Sequence, residues 1–471
     1  MKRMFPILAA ALALAAPSLV YAQEFPPAPP IGDPKPFKLP ATETFTLANG
    51  MKVTLIPYGI APKTVVSLRV RAGSALEDRA HPWLAGVVTE MMKEGAGGRS
   101  AADVATAAAG MGGDLNVGAG VQTASVSMSV LSEYAPDAVT LVSQVAQRPN
   151  LPAEELSRVK ANMARRLTVA LSQPGTLADI ALARTVYGPD HPYAGLPTQA
   201  QLAGYSIAEV KAFHAAQWSA RRAHLYVAGR FDAAAVKAAA EKAFGGWAPG
   251  TEAGKLQSPH TPGPQIVLID RPDAPQSTIR LAFDAPLIGT PEDIQNRVMN
   301  ALLGGAFSSR ITRNIREDKG YTYSPSSGLA YNPEEALWTF DADVTTNVTG
   351  AALNEVFKEV RTMQTSPPSA DEAKGIRTYL AGLFAISNST SGAVISTLAS
   401  TDTLGVPRSW LDSYVPSVLA VTPAQMSAAA KSNLPLNRLM MVVVGDLKTV
   451  EPQLKALPEL ANVPMKRVTV P

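Results

Sequence analysis

The chain has 471 residues, 46% of them hydrophobic, enough for at least two cores at roughly 100–200 residues per domain. A net charge of +3, with no block of Lys or Arg gathered on one segment, gives no electrostatic case for nucleic acid or an anionic membrane surface. There is no cysteine, which excludes disulfides, thiol catalysis, cysteine-ligated zinc and a lipid anchor on Cys.

Residues 1–22 read as an export signal. Lys2 and Arg3 precede a short apolar core from Phe5 to Val20, and Val20-Tyr21-Ala22 suits the outer cleavage positions. No later run approaches about 18 uninterrupted apolar residues, so no membrane span is expected. The expectation is an exported protein, periplasmic in a bacterium. Residues 23–41 hold seven prolines between Gln23 and Pro40 and predict an extended, mobile lead-in.

The first strong helix is predicted over Pro82–Lys93, where Leu84, Val87, Val88, Met91 and Met92 recur at helical spacing. Ser100 with Asp103 forms a capping box for the next one. Metal binding on the first helix would need two imidazoles one turn apart with a carboxylate beside the second. The five histidines, His81, His191, His214, His224 and His260, form no such pair.

Further along, Ala124, Val126, Met128 and Val130 alternate with Thr123, Ser125, Ser127 and Ser129, the period of a half-buried strand. A shift of 216 positions lands on Trp338, Phe340, Ala342 and Val344, which alternate in the same way. That shift also carries Leu151–Glu155 onto Pro367–Asp371, Ser206–Glu209 onto Thr422–Gln425, and a strand ending at Gly229 onto one ending at Gly445. Four matches at one offset predict a duplicated chain. Residues 42–247 and 265–471 are read as homologous α+β domains, joined by a Pro/Gly-rich linker over 248–264.

In the second copy, Gly304-Gly305 and Ser308-Ser309 predict a flexible turn with hydroxyls ready to cap a helix. Ile311 and Ile315 lie one turn apart on that helix, and Gly320 is placed to end it in a left-handed cap. Tyr321 and Tyr323 are expected to share one face of the extended segment that follows. Helix end and strand can thus bring Arg316 and Tyr323 together across seven residues. A phenol can donate one hydrogen bond and a guanidinium several, with positive charge, to an oxygen placed between them.

This arrangement of Arg316 and Tyr323 resembles the arginine–tyrosine substrate-clamping motif of the pitrilysin/insulinase family of zinc peptidases. The resemblance runs from about Thr42 to Leu447, through L-A-N-G at Leu47–Gly50, R-A-G-S at Arg71–Ser74 and M-G-G-D-L-N at Met111–Asn116. It implies domains that each hold a mostly antiparallel sheet flanked by helices and together enclose a chamber. The family's H-x-x-E-H zinc motif falls on Gly86-Val87-Val88-Thr89-Glu90, with the ligand histidines at Gly86 and Glu90 and the catalytic glutamate at Thr89. None keeps the needed group. A third ligand, a glutamate, falls near Arg165–Leu167, yet no Asp or Glu occurs between Glu155 and Asp179, while Arg158, Lys160, Arg165 and Arg166 crowd the stretch. No metal is expected in this chain.

The resemblance implies a non-catalytic subunit of an exported heterodimeric zinc peptidase acting on peptides. Arg316 and Tyr323 would act on a substrate whose zinc sits in a homologous partner bearing H-x-x-E-H. Gly304, Gly305, Ser308 and Ser309 would line the substrate, and Arg310 is open between substrate contact and a structural ion pair. The alternative is a stand-alone peptide-binding or assembly module without proteolytic activity.

Overall fold

Ala124, Val126, Met128 and Val130 all turn inward along β5 (Ala124–Leu131), as their alternation with serine requires, and help build the first core. The computed structural model describes residues 37–254 and 263–469. In the first domain β5 joins β1 (Glu43–Thr46), β2 (Lys52–Pro57), β3 (Lys63–Val70), β4 (Leu115–Ala119) and β6 (Ala223–Gly229) in the order β1-β2-β6-β3-β5-β4. Only β2 and β6 run parallel.

The second domain repeats the plan. β7 (Gln265–Asp270), β8 (Gln276–Asp284), β9 (Ser326–Asn332), β10 (Glu335–Thr345), β11 (Met440–Gly445) and β12 (Met465–Arg467) form a sheet in the order β12-β7-β11-β8-β10-β9. Trp338, Phe340, Ala342 and Val344 point into its core, matching the inward residues of β5. The edge place of β1 is taken by β12, which runs parallel to β7. Helices Ile207–Gln217 and Pro423–Asn433 match residue for residue, each led by a capping box, Ser206 with Glu209 and Thr422 with Gln425. Each box satisfies backbone donors that a helix start leaves open, so the duplication survives in local hydrogen bonding as well as topology.

One face of each sheet carries its own domain's helices; the other face is covered by exchange. Helix Pro174–Tyr187 of the first half sets Ala178, Ala181 and Val186 among Val267, Ile269, Val442 and Val444 of the second sheet. Its counterpart Ser391–Thr403 sets Val394, Ile395 and Leu398 among Ile56, Tyr226 and Ala228 of the first. Burying each large apolar side chain is worth about 1.5–3 kcal/mol, so the two halves form one packed body. Each of these two helices thus lies on the sheet of the other half.

The export signal, most of the lead-in and residues 255–262 of the linker lie outside the described residues. The lead-in's last residues are packed: Leu39 is buried, Phe37 meets Phe384 edge-on, and Arg408 donates to the Pro40 carbonyl at 3.0 Å. Among the described residues no helix is long and apolar enough to cross a membrane.

Candidate functional site

The helix at the metal-motif position begins at Leu84, two residues later than its pattern predicts, and runs to Met91. Trp83 takes φ 66° before it, and the buried Glu77 carboxylate accepts from the Trp83 and Ala85 N–H groups, each at 2.7 Å. A side chain from outside the segment therefore sets the start. Burial pushes the Glu77 carboxyl up to about 7; the two N–H donors oppose that rise and Asp78 adds to it.

Leu84, Val87, Val88 and Met91 are buried, leaving Gly86 and Glu90 half-covered. Both positions are occupied by the helix Leu156–Ser172. A Cβ on Gly86 would lie 3.3 Å from Met163 Cε, and Arg166 reaches Glu90 at 3.2 Å, with Lys93 on the same carboxylate at 3.1 Å. Burial pushes Glu90 up, but hydrogen bonds from Lys93 and Arg166 outweigh it and hold the carboxyl below its ordinary value. Thr89 donates its hydroxyl to the Gly86 carbonyl at 3.1 Å. These groups do not fit zinc: two cations and a thioether stand where ligands are needed. Among the described residues no cluster of three His, Cys, Asp or Glu could hold a metal. His81 bonds Asp78 and Glu209, His191 stacks on Tyr187, His214 bonds the Ala146 carbonyl and His224 bonds Thr54, so the four described histidines stand apart.

The second-domain segment is built around close backbone approach. Helix Pro291–Asn300 runs into a wider π-helical turn over Ala301–Gly305. A Cβ on Gly304 would meet Ser327 Oγ of β9 at 2.5 Å, and one on Gly305 would meet Asn300 Nδ2 of the preceding helix at 2.7 Å, so both glycines serve close packing of the turn. Ser308 is exposed; Ser309 is buried and accepts from the Thr312 N–H at 3.3 Å, capping the next helix as expected. Its last turns, Thr312–Asp318, are again π-helical, a form frequent at functional sites. Ile311 and Ile315 anchor it in the core. Arg310 is turned to Glu372, in two hydrogen bonds of 3.0 Å each, so the structure places it in the ion pair. That partner stands in the first turn of helix Ala370–Ser387.

Arg316 and Tyr323 do come together. Gly320 takes φ +65° and donates to the Arg316 carbonyl at 3.1 Å; Tyr321 donates to the Ile315 carbonyl at 2.8 Å. Thr322 alone bridges to β10, at Val344, so no regular strand forms here. As a result Tyr321 packs on the core while Tyr323 turns outward, rather than both sharing a face. The Arg316 guanidinium lies over the Tyr323 ring at 4.9 Å and over the Phe307 ring at 4.6 Å, with Glu317 Oε1 3.2 Å from Nε. Phe307 is 73% and Tyr323 78% exposed, so a cation sandwiched between two aromatic rings stands at the surface. Sequence reasoning missed Phe307, Glu77 and Met163. The exposed aromatic in G-A-F-S-S-R was the available signal for the first; the other two act from distant segments.

The description "Insulinase (Peptidase family M16)" matches residues 54–191, and "Peptidase M16 inactive domain" matches 205–380. The chain is 21% identical to YmxG of Bacillus subtilis, described as an uncharacterized zinc protease, over 82% of this chain and 94% of that one. It is also 21% identical to the Helicobacter pylori protein described as "Non-peptidase homolog YmxG", over 83% and 90%. Among solved structures, a peptidase M16 inactive domain from Pseudomonas fluorescens superposes with TM-score 0.79 at 24% identity, covering 86% of this chain and 98% of that one. A chain of complex III2 from Candida albicans shares the fold at TM-score 0.74 and 15% identity, covering 88% and 99%. With its ligand positions lost and its two-domain architecture kept, this chain belongs to the pitrilysin/insulinase (M16) peptidase family as a non-catalytic member.

Proposed function

We propose that the chain is the substrate-clamping subunit of an exported heterodimeric zinc peptidase that acts on peptides. The observation that carries this reading is the pairing of an occupied, ligand-free metal position with an exposed Arg316–Tyr323 pair. Tyr323 is 78% exposed with Arg316 against its ring, a phenol and a guanidinium from which a peptide carbonyl and its oxyanion could accept. Zinc and the water it activates would come from a partner bearing H-x-x-E-H.

The test is reconstitution. Mixing the full chain with an H-x-x-E-H partner should raise hydrolysis of a fluorogenic peptide well above the sum of the separate rates. A rate equal to that sum overturns the reading and favours a stand-alone peptide-holding module.

A further inference from the structure

The outer face of the first sheet changes character along its strands. At one end Ile56, Tyr226 and Ala228 pack under helix Ser391–Thr403. At the other, Lys52, His224 and Arg69 stand side by side in register on β2, β6 and β3. They open into a cleft of about 630 Å³, which Arg71, Arg221 and Arg222 also line.

Most of this charge is unanswered. Among the described residues no carboxylate pairs with Lys52, Arg69, Arg71 or Arg221, and Arg69 Nε is buried with no hydrogen-bond partner. The acids on the cleft wall are Glu252 and Asp402. Asp402 accepts from the Tyr226 hydroxyl and lies 3.4 Å from His224 Nδ1, neutral partners that leave its charge in place, so five cations face two acids on the wall. Arg222 is held by neutral acceptors, the Thr251 and Arg71 carbonyls and Gln217, which orient it without cancelling its charge. Burial, and then the Arg71 charge, pulls its pKa down. His224, pushed down to about 3 by burial and then by Lys52, adds a neutral ring to the wall. The second sheet shows what compensation looks like: Arg280, also turned toward an exchanged helix, meets Asp179 at 2.7 Å.

We propose that this cleft binds a compact anion of two or more charges, phosphoryl or polycarboxylate, with Arg69, Arg71, Arg221 and Lys52 gathered around it. A guanidinium fork suits either oxygen group, and Arg69 lines the cleft with no carboxylate paired to it among the described residues. The site is separate from Arg316 and Tyr323 and does not depend on their role.

Titration calorimetry on the full chain, with pyrophosphate in one arm and citrate in the other, tests it. Saturable one-site binding of either anion is expected, weakening as salt rises, and the arm that binds more tightly names the ligand class. Arg69→Gln and Arg221→Gln should each weaken binding about ten-fold or more, while Lys237→Gln, on an exposed ion pair with Glu43, should leave it unchanged. If Arg69→Gln does not fold, the exposed Arg221 carries the comparison. Absence of saturable binding in both arms, or wild-type affinity in the folded variants, overturns the proposal.

Discussion

Arg166 sets its guanidinium 3.2 Å from Glu90, so the one carboxylate on the metal-motif helix is paired with a side-chain cation. At the motif position positive charge comes from an arginine on helix Leu156–Ser172, and Met163 of the same helix crowds Gly86.

Restoring the motif alone should consequently fail to restore tight zinc binding. Gly86→His with Thr89→Glu and Glu90→His is expected to bind the ion weakly, because Arg166 repels it. Adding Arg166→Glu should tighten binding about ten-fold or more, read by competition with a chromophoric chelator. Equal affinity with and without that fourth change would mean the guanidinium is no obstacle.

Arg316→Ala and Tyr323→Phe should each lower the reconstituted peptidase rate by about 10²–10³-fold, the usual cost of one lost oxyanion donor. Tyr323→Phe should leave the melting temperature almost unchanged, since it removes only the hydroxyl of a side chain that is 78% exposed. An activated rate that either variant leaves intact would remove the clamp assignment.

Glu77 predicts a pH dependence of stability. Its folded carboxyl, raised to about 7 from an ordinary 4.5, binds its proton more tightly than the unfolded chain does. Its contribution is thus fully present below about 4.5 and is lost as pH rises through about 7, a swing of at most about 3 kcal/mol. Glu77→Gln cannot titrate, so the gain in urea midpoint that wild type shows between pH 7 and pH 5 should shrink in the variant. Parallel pH profiles for the two proteins would refute this.

The exchanged helices make a sharper stability prediction. Ile395 is 1% exposed between the halves, and Ile395→Ala should cost about 2–5 kcal/mol in urea unfolding. A loss below about 0.5 kcal/mol would show that this helix is not part of the cooperative core.

Much of the site was legible because its parts are close in sequence. Gly320 ends a helix and returns the chain, so Arg316 and Tyr323 meet through contacts spanning a few residues. Arg310 was not decidable in that way, because its partner Glu372 lies 62 positions away. Phe307 was missed for a related reason: a lone aromatic in a turn carries no periodic signal, and only the folded π-helical turn brings it over Arg316.

By itself the sequence determined the strands with their inward faces, the capping boxes, the duplication and the absence of metal ligands. All of these rest on residue identity or on neighbours within about one helical turn or strand repeat. Tertiary structure decided which half covers which sheet, which arginine sits on Glu90 and where cations gather without partners. Those outcomes depend on how two sheets and their exchanged helices pack, joining residues as distant as Tyr226 and Asp402. Packing of that kind balances buried surface against desolvated charge over the whole chain, and no local pattern encodes it.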